Sequence, residues 1–151
     1  MAIPESSFAH FASVDWAKQK HHAVILNPAG QIVAAFDFDH TAAGWQHWRE
    51  QAARFAPLAV AIETSQGTVI DQLLHTPDCT IYPLKPKAAQ RYRERKAPSG
   101  TKSDHLDAWS FADALRLDWA HWRLLCRQAP LAISYGCCAA TRWPRSKSAP
   151  L

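Results

Sequence analysis

The sequence predicts an α/β fold, a mixed five-stranded sheet flanked by helices. Three observations predict it. The first quarter of the chain carries three short, mostly apolar runs joined by brief connections, the pattern of antiparallel hairpins. Beyond residue 40, segments with helical spacing alternate with two more short apolar runs, the pattern of strands joined by crossover helices. The chain has 151 residues, 48% hydrophobic and 20% charged, enough for one domain with a substantial core.

Each element has its own justification. Residues 1–8 read as a disordered leader. Residues 9–15 are mostly apolar and close on Asp15, as a buried strand would. Residues 21–26, rich in Val and Ile, form a second strand; Asn27-Pro28-Ala29-Gly30 supplies a turn; residues 31–37 form a third. Thr41 is placed to cap a helix reaching about Phe55, with Trp45, Trp48, Ala52 and Phe55 as its buried stripe and Pro57 marking its end. Residues 58–63 (Leu-Ala-Val-Ala-Ile-Glu) are an apolar run ending on an acid, suited to a buried parallel strand. A short helix over 67–75 and a fifth strand over 80–84 follow, the latter closed off by Pro83 and Pro86. Residues 87–96 are helical until Pro98-Ser99-Gly100 breaks them. Ser103 then caps a last helix to about Asp118, with Leu106, Ser110, Ala114 and Leu117 on one stripe and Trp109 and Ala112 beside it. The folded domain is expected over 9–125, without internal repeats. Residues 126–151 show no periodicity and read as an irregular tail.

Several function classes are excluded or disfavoured. No apolar run approaches the roughly 20 residues that span a bilayer, so no membrane partner is expected. The start of the chain has neither the basic nor the apolar part of a secretory signal, which leaves the cytoplasm as the expected compartment. Cys79, Cys126, Cys137 and Cys138 contain no C-x-x-C pair, so free thiols are expected rather than a zinc site or a redox motif. The eight histidines offer no H-x-x-x-H pair and are expected mostly at the surface. No G-x-S-x-G elbow and no phosphate-binding G-x-x-x-x-G-K-[ST] loop is present.

The candidate chemistry lies in four acids. Asp15 and Glu63 stand at the carboxyl ends of expected strands, where ligands of open α/β sheets bind. Asp104 and Asp107, three residues apart, share one face of the last helix. If that helix packs across the sheet, all four converge on a site for divalent ions, which activate the attacking oxygen and stabilise the leaving oxygen of phosphoryl transfer. Each acid has a plainer explanation. The helix dipole alone favours Asp104 and Asp107 in a first turn, and Asp15 is able simply to begin a turn. Glu63 is harder to dismiss, because a buried strand end seldom carries a lone acid. Asp37, Asp39, Asp71 and Asp113 are assigned to surface or loop roles.

The charge is local. The whole chain is net +4, but residues 85–102 hold Lys85, Lys87, Arg91, Arg93, Arg95, Lys96 and Lys102 against Glu94 alone, so the remainder is net negative. This favours a polyanion-binding patch over general basicity, although a solvated helix face predicts the same pattern. Tyr82 and Tyr92 flank the segment. Tyr92 is a candidate for base stacking, and Tyr82 is expected to pack in the core.

Three pieces of the chain resemble the N-terminal domain of DEDD transposases of the insertion sequence 110 type. They are Val14-Asp15-Trp16-Ala17-Lys18, Ile62-Glu63-Thr64-Ser65-Gln66-Gly67, and the long run Arg93-Glu94-Arg95-Lys96-Ala97-Pro98-Ser99-Gly100-Thr101-Lys102-Ser103-Asp104-His105-Leu106-Asp107-Ala108. The likeness covers about residues 9–125. It implies an RNase H-like (RuvC-like) fold and a catalytic, metal-binding tetrad of Asp15, Glu63, Asp104 and Asp107 holding Mg²⁺ or Mn²⁺, two ions in all. It also implies DNA as partner, DNA recombination during transposition, a structured guide RNA, and a homo-oligomer in the full-length family. Family members carry a second, C-terminal domain with a serine that links to DNA. This sequence departs from that pattern by ending at Leu151. The expectation is a truncated or frame-shifted copy, for which a stand-alone nuclease or resolvase and a non-catalytic nucleic-acid-binding fragment are the alternatives.

Overall fold

Strand β1 (His10–Asp15) anchors the sheet because it pairs on both sides, antiparallel to β2 (Lys20–Leu26) and parallel to β4 (Leu58–Ile62). The computed structural model describes residues 8–64, 66–96, 104–128 and 132–135. β3 (Ile32–Asp39) pairs antiparallel with β2, and β5 (Cys79–Pro83) parallel with β4. β6 (Leu125–Gln128) and β7 (Ala132–Tyr135) add an antiparallel ribbon beyond β5, giving the order β3-β2-β1-β4-β5-β6-β7. The five expected strands are thus present in the expected order. The two further strands fall where an irregular segment was expected from Cys126; residues 129–131 and 136–151 of that segment lie outside the described residues, as do residues 1–7 of the leader expected over 1–8, whose last residue, Phe8, is instead buried against Phe11, Tyr82 and Trp119.

The β2–β3 turn follows from its residues. Asn27 Oδ1 accepts from the backbone N–H of Ala29 at 3.0 Å and of Gln31 at 2.9 Å, an Asx turn. Gly30 closes it at φ +88°, a left-handed geometry that costs glycine nothing.

Side chains alternate along the strands and so build two cores. Leu58, Val60 and Ile62 of β4 join Ala12, Val14 and Ile25 under Trp45, Trp48 and Ala52 of α1 (Ala42–Arg54) and Val69, Ile70 and Leu73 of α2 (Thr68–Leu74). Thr41 caps α1 as expected, its Oγ1 accepting from Gly44 N–H at 3.0 Å. The Trp48 indole is fully buried and donates to Thr76 Oγ1 at 3.1 Å, which satisfies its one polar atom.

The opposite face takes α3 (Pro86–Lys96) and α4 (Asp104–Asp118). Its sheet residues mix small and large side chains: Ala59 and Ala61 are fully buried with Phe11 and Tyr82, and Val24 and Leu26 are buried on the same face. Ala59 and Ala61 cluster with Phe111 and Leu115 of α4, and Val24 and Leu26 of β2 with Ala108 and Ala112. Small residues thus face large ones, the α4 alanines against β2 and the β4 alanines against Phe111 and Leu115, and the helix packs across β1, β2 and β4. The α4 stripe therefore differs from the expected one. Ser110 and Ala114 are buried as expected, but Leu117 is 65% exposed, because the buried arc centres on Ala108, Phe111, Ala112 and Leu115. Leu106 lies in α4, with its side chain outside the described set. Asp113, expected at the surface, is buried and paired with Arg116, whose Nε and terminal nitrogen reach its Oδ1 at 3.0 and 2.8 Å. Arg116 also donates to Pro28 O at 3.2 Å, clamping α4 to the β2–β3 turn.

Candidate metal and nucleic-acid site

Register places two acids side by side. β1 and β4 run parallel with Val14 opposite Ile62, so the next residues, Asp15 and Glu63, leave the sheet at adjacent strand ends. Asp15 closes β1, and Glu63 follows the last residue of β4. The indole of Trp16, largely exposed, reaches across to donate to Glu63 O at 3.4 Å. The loops that follow the two acids are joined through histidines. Ala17 N–H donates to His21 Nδ1 at 3.2 Å, His21 Nε2 lies 3.0 Å from His40 Nδ1, and His40 Nε2 lies 3.3 Å from Thr68 Oγ1 at the start of α2. Because His21 Nδ1 is the acceptor, its proton sits on Nε2 and donates to His40, whose own Nε2–H then donates to Thr68. His21 is buried against Phe38 and Trp45, contrary to the expectation of surface histidines. Burial, and then the neighbouring His40, push its pKa down to about 4, which keeps it neutral.

The helices deliver a third acid and a cation. Asp107, in the first turn of α4, is buried. Arg93 of α3 donates to Glu63 Oε2, and its Nε lies 3.1 Å from Asp107 Oδ2. Its guanidinium carbon lies 5.1 Å from the Phe111 ring centroid, a cation–π contact. One guanidinium thus joins two carboxylates that come from the sheet and from α4. Arg93 Nε is nevertheless buried without an aligned hydrogen-bond partner, so the contact with Asp107 is one of charge rather than of geometry. Asp104 opens α4 one turn before Asp107; its side chain lies outside the described set. Among the described residues, no three His, Cys, Asp or Glu side chains stand together closely enough to hold a metal ion.

The expected basic patch divides in two. Lys85, Lys87, Arg91 and Arg95 are exposed, while Arg93 turns inward. Lys96 ends α3 with its side chain outside the described residues, and Lys102 lies outside them altogether. Helical geometry explains the division. Arg91 and Arg95 are four residues apart and share a face, whereas Arg93, two from each, falls roughly opposite, at about 100° of turn per residue. That spacing was the available sign that the three arginines do different work.

Beside Glu63 opens a cleft of about 790 Å³, walled by Thr64, Leu84, Lys85, Tyr92, Trp122 and Arg123 among others. Tyr92 and Trp122 stack there with ring centroids 5.6 Å apart. Tyr82 instead packs fully in the core, as expected. Cys79 is a free thiol, and burial, with Asp78 beside it, pushes its pKa up to about 12, so it stays protonated and unreactive.

The donor chemistry suits a hard divalent cation. The converging groups are carboxylates, and a cation already bridges two of them. That cation carries one buried N–H without an aligned partner, an orphaned polar atom between two carboxylates in a place that favours positive charge.

Comparison with known proteins covers most of the chain. A family model described as Transposase, of the DEDD insertion sequence 110 type, matches residues 12–131. A Streptomyces coelicolor protein provisionally named the mini-circle transposase for IS117 is 33% identical over 133 residues, covering 85% of this chain and 32% of that protein. A Sinorhizobium fredii protein provisionally named transposase y4uE is 31% identical over 129 residues, covering 82% of this chain and 36% of that protein. The chain spans about a third of the length of the curated relatives it matches.

Proposed function

The chain belongs to the DEDD transposases of the insertion sequence 110 type, and on that premise we propose that it is the metal-binding, DNA-engaging part of a transposase, acting in strand cleavage and recombination during DNA transposition. Family members are metal-dependent, and DNA is the partner the family implies. The observation that carries the reading is the convergence of Glu63 and Asp107 on one cation, beside the strand end that bears Asp15.

In this reading Asp15, Glu63, Asp104 and Asp107 hold two Mg²⁺ or Mn²⁺ ions. The bound metal supplies activation of the attacking oxygen and stabilisation of the leaving oxygen in phosphoryl transfer. The chain's own residues orient and neutralise. Asp15 and Glu63 are fixed by strand register, and Asp107 by the close packing of α4. The His21–His40–Thr68 chain holds together the loops that follow the two strand ends. Lys85, Lys87, Arg91 and Arg95 draw the phosphate backbone toward the acids, and Lys96 and Lys102 belong to the same basic run of sequence. A structured guide RNA and assembly into a homo-oligomer belong to the full-length form of this proposal, as does work in the cytoplasm at the nucleoid. No helix among the described residues is long and apolar enough to cross a membrane.

Incubation of the purified chain with branched, nicked and duplex DNA tests the reading. Salt-sensitive binding with Mn²⁺-dependent nicking that Glu63→Gln abolishes is the expected result. Nicking that survives Glu63→Gln would refute the assigned centre. Binding without any nicking would leave the non-catalytic nucleic-acid-binding alternative as the better account of this chain.

A further inference from the structure

Arg93 stands among the acids, although its place in a basic run groups it with the exposed cations. It shares its inward face with Ala89, one turn earlier and fully buried, while Arg91 and Arg95 face solvent. Its guanidinium rests against Phe111 and spans from Glu63 to Asp107. Two like charges brought together in a partly dry site repel each other, and a cation between them relieves that repulsion. Arg93 does so incompletely. It makes one aligned hydrogen bond to the pair, and its buried Nε has none. A guanidinium that leaves one buried N–H unsatisfied between two carboxylates can be displaced by a divalent cation, whose double charge and oxygen preference suit both.

We propose that Arg93 is the built-in counter-cation of the acid centre: it holds Glu63 and Asp107 together until a divalent ion arrives, and it must leave them for that ion to bind. Metal uptake and release of Arg93 are then one event. The protein keeps a folded, neutralised centre without metal, and the metal affinity it shows is lowered by the work of displacing the arginine. Arg93 is a positioning residue in this account, acting on the two carboxylates and not on the reacting atoms. The proposal rests on the metal-centre reading above.

Calorimetric titration of the intact chain with Mn²⁺ tests it. Arg93→Gln removes the competing charge and is expected to bind Mn²⁺ about ten-fold more tightly than wild type, equivalent to about 1.4 kcal/mol. The same variant without metal is expected to melt at a lower temperature and to recover most of the loss when Mn²⁺ is added. Equal or weaker Mn²⁺ binding by Arg93→Gln overturns the proposal. Glu63→Gln serves as the separate control. If it leaves Mn²⁺ binding unchanged, the metal-centre reading itself fails; if it weakens binding while Arg93→Gln changes nothing, only the role of Arg93 fails. Should Arg93→Gln not fold, Mg²⁺ titration of the wild-type chain is followed at the Arg93 Nε–H nuclear magnetic resonance, assigned by its loss in Arg93→Lys. Movement of that resonance in step with metal uptake supports the exchange, and a resonance unmoved at saturation overturns it.

Discussion

Acidification is expected to weaken this fold through His21, and the size of the effect can be worked from its surroundings. His21 accepts from Ala17 N–H through Nδ1 and donates to His40 through Nε2, an arrangement only the neutral ring allows. Protonation would remove the acceptor and place a charge against Phe38 and Trp45. In the unfolded chain the ring titrates near 6.5; in the folded chain its pKa lies at about 4. The unfolded state therefore binds the proton first, so the stability that neutral His21 contributes is complete above pH 6.5 and is lost as pH falls toward 4. The limiting slope is about 1.4 kcal/mol per pH unit. Between pH 7 and pH 5 that amounts to about 2 kcal/mol, reduced to about 1–2 kcal/mol because the histidine chain reaches solvent at Thr68. Urea unfolding of wild type and His21→Gln across pH 4.5–7.5 measures it. Glutamine keeps a donor and an acceptor but does not titrate, so the variant is expected to lose less stability on acidification by that amount. The difference cancels contributions common to both chains, such as the His22–Asp37 pair. Parallel curves for the two proteins would refute the assignment of a neutral, structurally required His21.

Other perturbations probe the remaining supports. Arg116→Ala removes the cation paired with buried Asp113 and detaches α4 from Pro28, and is expected to cost about 1–3 kcal/mol in denaturant unfolding. Gly44→Ala would set its new Cβ 1.8 Å from Asp39 O, a clash with backbone that no rotamer relieves, so a loss above about 2 kcal/mol is expected in the melting of the β3–α1 corner. Neutralising Arg91 and Arg95 together is expected to lower DNA affinity and to reduce the log–log salt slope by about 2, read by fluorescence anisotropy across salt concentrations. An unchanged slope would make that face of α3 a solvated surface only.

What was legible in the sequence was whatever obeys a period. The five strands and the cap at Thr41 follow from alternation, turn residues and a local hydrogen bond, all of which act over a few residues. Glu63 stood out because an acid closing an apolar strand needs a reason. Features set by packing between distant segments were not legible. Asp113 reads as a surface acid until Arg116 and the β2–β3 turn close over it. Leu117 reads as core until packing against β2 and β4 fixes which arc of α4 faces the sheet. His21 lies one residue from the exposed end of β2, and only the return of His40 and Trp45 makes it a buried relay. Strands β6 and β7 are short, pair with each other and join the sheet through the edge of β5, so their own residues carry little signal. The arginines lie between these cases, since their two-residue spacing on a helix already required Arg93 to face away from Arg91 and Arg95.

The most direct test of the central claim is a crystal structure of the chain grown with Mn²⁺, read by anomalous scattering at the manganese edge. The account predicts a peak coordinated by Glu63 and Asp107 with Asp15 in the same ligand shell, and Arg93 turned away from both carboxylates. A peak elsewhere, or none at saturating Mn²⁺ with Arg93 still bridging Glu63 and Asp107, would contradict it.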